Sequence, residues 1–139
     1  MNQMLIGSLL ASLLLGVISD RAFGQSKKVE VAKTWSGSVE VDKAKQPECI
    51  TTAKGLEVVW KAWKANGDVP KVDFTKNIVV AVYSLGSSLE IESVRLDDKG
   101  NLEVVGVGTD DSPPGFRYVL GVVSKVGVKT INKRELPKE

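Results

Sequence analysis

The chain has 139 residues, 42% of them apolar, and 19 basic against 17 acidic side chains, a formal charge of only +2. That length predicts a single domain, and so mild a charge gives no electrostatic case for nucleic acid as a partner. Histidine is absent and Cys49 is the only cysteine, which excludes Ser-His-Asp and Cys-His catalysis, histidine or thiolate zinc sites, redox pairs and an internal disulfide.

In chain order, the first predicted element is a removable one. Met4 to Ile18 (MLIGSLLASLLLGVI) is an unbroken run of apolar and small residues. It has the length of a signal-peptide core and falls short of the roughly 20 residues a membrane span needs. Ala22 and Gly24 place small residues where a signal peptidase reads them. Residues 1–24 are thus predicted as a signal peptide and 25–139 as one domain. No Lys or Arg precedes the run, so an uncleaved anchor is the alternative. The expected location is periplasmic or extracellular, with no span in the mature chain.

Val29–Ala32 and Ser38–Asp42 each alternate apolar with polar residues and predict two half-buried strands, joined through Trp35-Ser36-Gly37. Lys43–Glu48 (KAKQPE) is a charged connection. Cys49 is expected as a small buried residue, the alternatives being an intermolecular disulfide or an exposed thiol. Thr51 or Thr52 can cap a helix running to about Asn66. Leu56, Val59, Trp60 and Trp63 form its apolar stripe at i, i+3, i+4 and i+7. Glu57 and Lys61 form a favourable i,i+4 pair. Gly67 supplies a left-handed ending and Pro70 blocks continuation.

Asn77–Leu85 (NIVVAVYSL) is apolar on both faces, the mark of a central strand covered above and below. Gly86-Ser87-Ser88 is a turn. In Leu89–Leu96 the apolar phase changes between Ile91 and Val94, and a β-bulge near Ser93 would restore one face. Asp97–Asn101 is a hairpin loop with Gly100 free to take positive φ. Leu102–Thr109 returns, Thr109–Gly115 (TDDSPPG) is a loop, and Phe116–Val126 is a long apolar strand. Gly127 is a turn and Val128–Asn132 a last strand. Short turns predict antiparallel neighbours. The expected fold is α+β: a twisted antiparallel sheet or partly open barrel, with one amphipathic helix on one face.

Carboxylates are the acid-base groups available. Asp97-Asp98 and Asp110-Asp111 are adjacent pairs, which converge on one point only if a loop folds them so. The DDKGN spacing does not continue into an EF-hand. Ser87, Ser88 and Ser124-Lys125 lack any motif that fixes a nucleophile at a lysine. No Gly-rich strand-to-helix loop offers a phosphate cradle, and no cofactor or metal is implied. The best surface candidates are the loop and one tryptophan. Asp110, Asp111 and Ser112 offer polar contacts on a segment stiffened by Pro113 and Pro114, which lowers the entropy lost on binding; a plain connection is the alternative. Trp35, beside a strand break, is either a lid on the core or a contact residue.

From Pro47 onward the pattern resembles the PrcB-like domain family of exported bacterial proteins, over about residues 47–137. The residues that carry the likeness are the paired-tryptophan helix LEVVWKAWKA (Leu56 to Ala65), then VDFTKNIVVAVYSLG (Val72 to Gly86), two alternating strands ending in a Pro-Gly loop, and FRYVLGVVSKVG. The family commonly continues its central strand into a longer Gly-Gly-aromatic element; here Gly86-Ser87-Ser88-Leu89 is shorter. The resemblance implies a non-catalytic exported domain associated with a cell-surface protease complex. The expected function is accordingly protein binding or an accessory role in the envelope. The alternatives are a small carboxylate-dependent hydrolase or carbohydrate-active protein, and a structural envelope protein.

Overall fold

The computed structural model describes residues 25–40, 44–111 and 114–138. The segment read as a signal peptide lies outside them, as do Val41 and Asp42 of the second expected strand. The element order is β1 (Ser26–Lys28), β2 (Lys33–Val39), β3 (Cys49–Ile50), α1 (Ala53–Ala62), β4 (Asn77–Ser84), β5 (Leu89–Asp97), β6 (Asn101–Gly108), β7 (Phe116–Ser124), β8 (Thr130–Ile131) and β9 (Arg134–Glu135). The class is α+β, as expected, but the strands form two sheets. One has the order β2-β7-β4-β3, the other β1-β5-β6-β8-β9.

Asn77–Ser84 is indeed an inner strand. It pairs antiparallel with β7 over its whole length, from Asn77 opposite Ser124 to Ser84 opposite Arg117, and β3 covers part of its other edge. Both faces are buried, because β4 serves two cores. Val79 and Ala81 join Leu56, Val59, Trp60 and Trp63 of the helix region, with Tyr118, Leu120 and Val122 of β7. Ile78, Val80 and Val82 face the second sheet and meet Val94, Leu102, Val104 and Ile131. Three layers result: helix, sheet, sheet.

The expected bulge is present. Ile91 pairs with Gly106 and Ser93 with Val105, leaving Glu92 as the extra residue. One inserted residue inverts the side-chain phase, so Leu89 and Ile91 before it and Val94 and Leu96 after it all reach the same core. At Gly106 the two sheets approach closely: a Cβ there would lie 2.7 Å from Val82 Cβ.

Four expectations need correction. Trp35-Ser36-Gly37 is not a connection but the middle of β2, and Val29–Ala32 is the crossing from one sheet to the other. Val29 N–H donates to the Val94 carbonyl in the first partner sheet and Ala32 N–H to the Val122 carbonyl in the second. Short turns do not always join hydrogen-bonded neighbours. The Leu85–Ser88 turn carries the chain from one sheet to the other, since β7 and β3 already flank β4. The expected last strand shrinks to Thr130–Ile131, which pairs parallel with β6.

The helix also ends earlier than the Asn66 limit. Thr52 is its N-cap, with Oγ1 accepting from Gly55 N–H at 3.0 Å. At the other end Lys64 has φ 54°. Lys64 N–H donates to the Lys61 carbonyl and Ala65 N–H to the Trp60 carbonyl, the two bonds of a Schellman ending. Trp63 then turns inward, 3% exposed, and its ring meets Tyr83, Phe116 and Tyr118 at centroid distances of 5.9, 5.7 and 4.5 Å. Its Nε1–H donates to the Lys45 carbonyl at 2.9 Å. Lodging that ring required the chain to turn before Gly67.

Two stability changes are expected. Lys64→Gly removes the left-handed penalty on a side-chain-bearing residue and should stabilise by about 1 kcal/mol. Gly106→Ala should destabilise by about 1–3 kcal/mol, because Val82 Cβ is fixed to its backbone and cannot yield. Chemical denaturation of each variant beside the parent checks both signs.

Candidate recognition surface

Thr109 and Asp111, at the start of the Thr109–Gly115 loop, are anchored to the Ser84–Ser88 turn. Thr109 N–H donates to the Ser88 carbonyl at 3.0 Å, and Ser88 N–H donates back to Thr109 Oγ1 at 3.1 Å. Ser84 Oγ donates to the Thr109 carbonyl at 2.6 Å. Asp111 closes the clasp. Its Oδ1 accepts from Ser87 N–H at 2.7 Å and Thr109 Oγ1 at 2.8 Å, and its Oδ2 accepts from Ser87 Oγ at 2.5 Å. These donors, the Ser87 hydroxyl first, hold the Asp111 carboxyl far below the usual carboxylate range. Gly86 is the residue that permits the contact, since a Cβ on it would fall 1.9 Å from the Thr109 carbonyl oxygen.

The clasp divides the sequence candidates. Asp111 is exposed but engaged, so its first role is to set the loop. Asp110 and Pro114 are exposed on either side of it. Ser112 and Pro113 lie outside the described residues. Sequence reading found the loop and missed Ser84, Ser87 and Thr109 as its fastenings. The pairs Ser87-Ser88 and Thr109-Asp110 were visible, but nothing local says that residues 21–25 positions apart meet.

Trp35 is placed elsewhere, on β2. It stands opposite Leu120 in the β2–β7 ladder, so it faces the helix side of the sheet. It is half-buried, with Lys33 Nζ 5.3 Å from its ring centroid. It thus combines both expected roles, covering part of the core while lining a groove. That groove, about 580 Å³, runs between β2 and the segment after the helix, with Tyr118 in its floor and Lys64, Asp68 and Lys71 on its far wall. Val39, at the other end of β2, pairs with Phe116, and a Cβ on Gly115 would lie 1.8 Å from the Val39 carbonyl oxygen. The loop therefore abuts the end of β2 away from Trp35. The candidates do not form one cluster: Trp35 lies on β2, and Asp110, Asp111 and Pro114 lie between β6 and β7.

Other groups are committed locally. Asp97 Oδ1 accepts from Lys99 N–H at 2.9 Å and Asn101 N–H at 2.8 Å, holding its own hairpin loop. Lys125 Nζ donates to the Phe74 carbonyl at 2.9 Å rather than to a serine. Cys49 is free and buried; burial first, and the neighbouring Glu48 second, push its thiol up to about 12. Among the described residues no group of three or more acidic or cysteine side chains could hold a metal ion. No helix of the described residues is long and apolar enough to cross a membrane.

Comparison with protein-family models, with curated proteins and with solved structures finds no match.

Three outcomes test this geometry. Asp111→Asn should speed hydrogen exchange at the Ser87 amide while leaving the amides of β4 protected. In the parent, the Asp111 contribution is present above the unfolded carboxylate value of about 4 and is lost only as pH falls through its depressed folded value. Protection at Ser87 should therefore persist from neutral pH through mild acid. Cys49 should resist a disulfide-exchange reagent at pH 8 in the native protein and react once the protein is unfolded in denaturant.

Proposed function

We propose that this chain is an exported, non-catalytic protein-binding domain that serves as an accessory to a partner in the cell envelope. The observation that carries the reading is the clasped loop. The Asp111 carboxylate and the Ser84–Ser88 turn fix Thr109 to Asp111 in place, while Asp110 and Pro114 stay exposed. A segment ordered in advance, as Thr109–Asp111 is, loses little entropy on association, which is what a recognition surface gains from such fastening. The likeness of the paired-tryptophan helix and the strand after it to PrcB-like domains supports a protease complex as that partner. A carboxylate hydrolase has less support, because Asp111 and Asp97 both accept hydrogen bonds from their own surroundings.

Capture from an envelope extract tests the proposal. The chain from residue 25 should retain a protein that a double variant, Asp110→Lys with Pro114→Ala, retains much less. That variant leaves Asp111 and the clasp in place, so a loss reports contact rather than unfolding. Equal recovery by both would remove the loop from the interface, and no specific recovery by either would defeat the protein-binding reading.

A further inference from the structure

We infer that the outer edge of β2 is a strand-addition site, which takes an extended, acidic segment of a partner protein. The inference rests on the protein-binding reading above and specifies where and how the partner is held. Among the described residues no strand pairs with that side of β2. All seven residues, Lys33 to Val39, are in unbroken register with β7, so every second one turns its N–H and C=O outward. The strand spans roughly 20 Å at about 3.3 Å per residue.

The other edges offer less. β1, β3 and β9 have three, two and two residues. The uncovered part of β5 carries the bulge at Glu92. On β6, Asn132 Oδ1 accepts from Val104 N–H at 2.9 Å and takes up part of that edge. Natural edge strands are blunted by charges, prolines or bulges. Within β2 the sole charge is Lys33 at its start, and Thr34, Ser36 and Ser38 are exposed and small.

Charge selects the occupant. On the helix side of β2 the groove holds Lys33, Lys64 and Lys71 against a single carboxylate, Asp68. On the opposite face Arg117 stands across from Ser38, its Nε buried without a hydrogen-bond partner among the described residues. The groove side of an added strand would therefore meet positive charge. Trp35, half-buried in the groove, supplies an indole face for one side chain of that strand. Backbone pairing would give the affinity, and alternate side chains over the groove the selectivity.

The test uses the chain from residue 25 as bait against a displayed library of short random peptides. Peptides enriched in Asp and Glu should be selected. Synthesised singly, they should shift the amide resonances of Lys33–Val39, and N-methylation on their pairing edge should abolish this. The variant Lys33→Glu with Lys71→Glu, both exposed positions, should bind them about tenfold more weakly with unchanged circular dichroism. Acidic peptides that bind but shift only the Thr109–Asp111 loop, or that tolerate N-methylation, would overturn the strand-addition proposal and leave the protein-binding reading standing. Enrichment of basic or uncharged peptides would overturn the acidic assignment. If no peptide is enriched, and envelope capture is also empty, both readings fall.

Discussion

The structure depends on the pairing of two strands that are apolar on both faces. β4 and β7 lie side by side over eight residue pairs. Along β4, Ile78, Val80 and Val82 point to one side, Val79 and Ala81 to the other, and all are buried. Valine and isoleucine favour this pleated, covered setting. A ladder of this kind in water would leave one apolar face exposed if it had only one covering layer. It therefore demands a layer on each side. The stripe of α1 supplies one, and the sheet built on the β5–β6 hairpin supplies the other.

That demand explains the positions of the candidate surface. The chain leaves β4 by a turn that must climb to the second sheet, and it comes back to β7 by a loop that must descend again. Both crossings occur at the same end of the molecule, and there the Ser84–Ser88 turn and the Thr109–Asp111 segment are fastened to each other. β7 has β4 on one side and β2 on the other, which places β2 at the rim. The edge and the loop are thus products of how the doubly apolar ladder is covered. Exposed charge pairs such as Glu57–Lys61, at 2.7 Å, add little to this scheme.

Much of this was legible in the residues. The two-faced run at Asn77–Leu85, the stripe through Leu56 and Trp63, the Thr52 cap, the phase change that requires a bulge, and Gly100 in its hairpin all follow from local periodicity and turn chemistry. Strand partnership did not. Alternation says which side chains share a face, and it is silent on whether two successive strands pair edge to edge or stack face to face. That is why one sheet was expected where two are found. The early helix ending was hidden because Gly67 is the better left-handed residue. The tertiary demand of the Trp63 ring, against Tyr83, Phe116 and Tyr118, forced Lys64 into that conformation instead. At the surface, the loop and Trp35 could be named. The hydroxyls that fasten the loop, and the lysines facing Trp35 across the groove, come from distant positions and could not.

The register of the first strands has a consequence for how the molecule is made. Ser26 pairs with Asp97, and Trp35 stands opposite Leu120. A ribosome releases the chain from its N-terminal side, so these early segments wait for partners that emerge long after them. Contacts so remote in sequence slow folding, because loop closure must precede the contacts that reward it. Until β7 is available, the valine ladder lacks its main neighbour and both of its faces stay open. The nascent polypeptide therefore cannot complete this ladder before β7 emerges, and its most adhesive segment needs shielding until then.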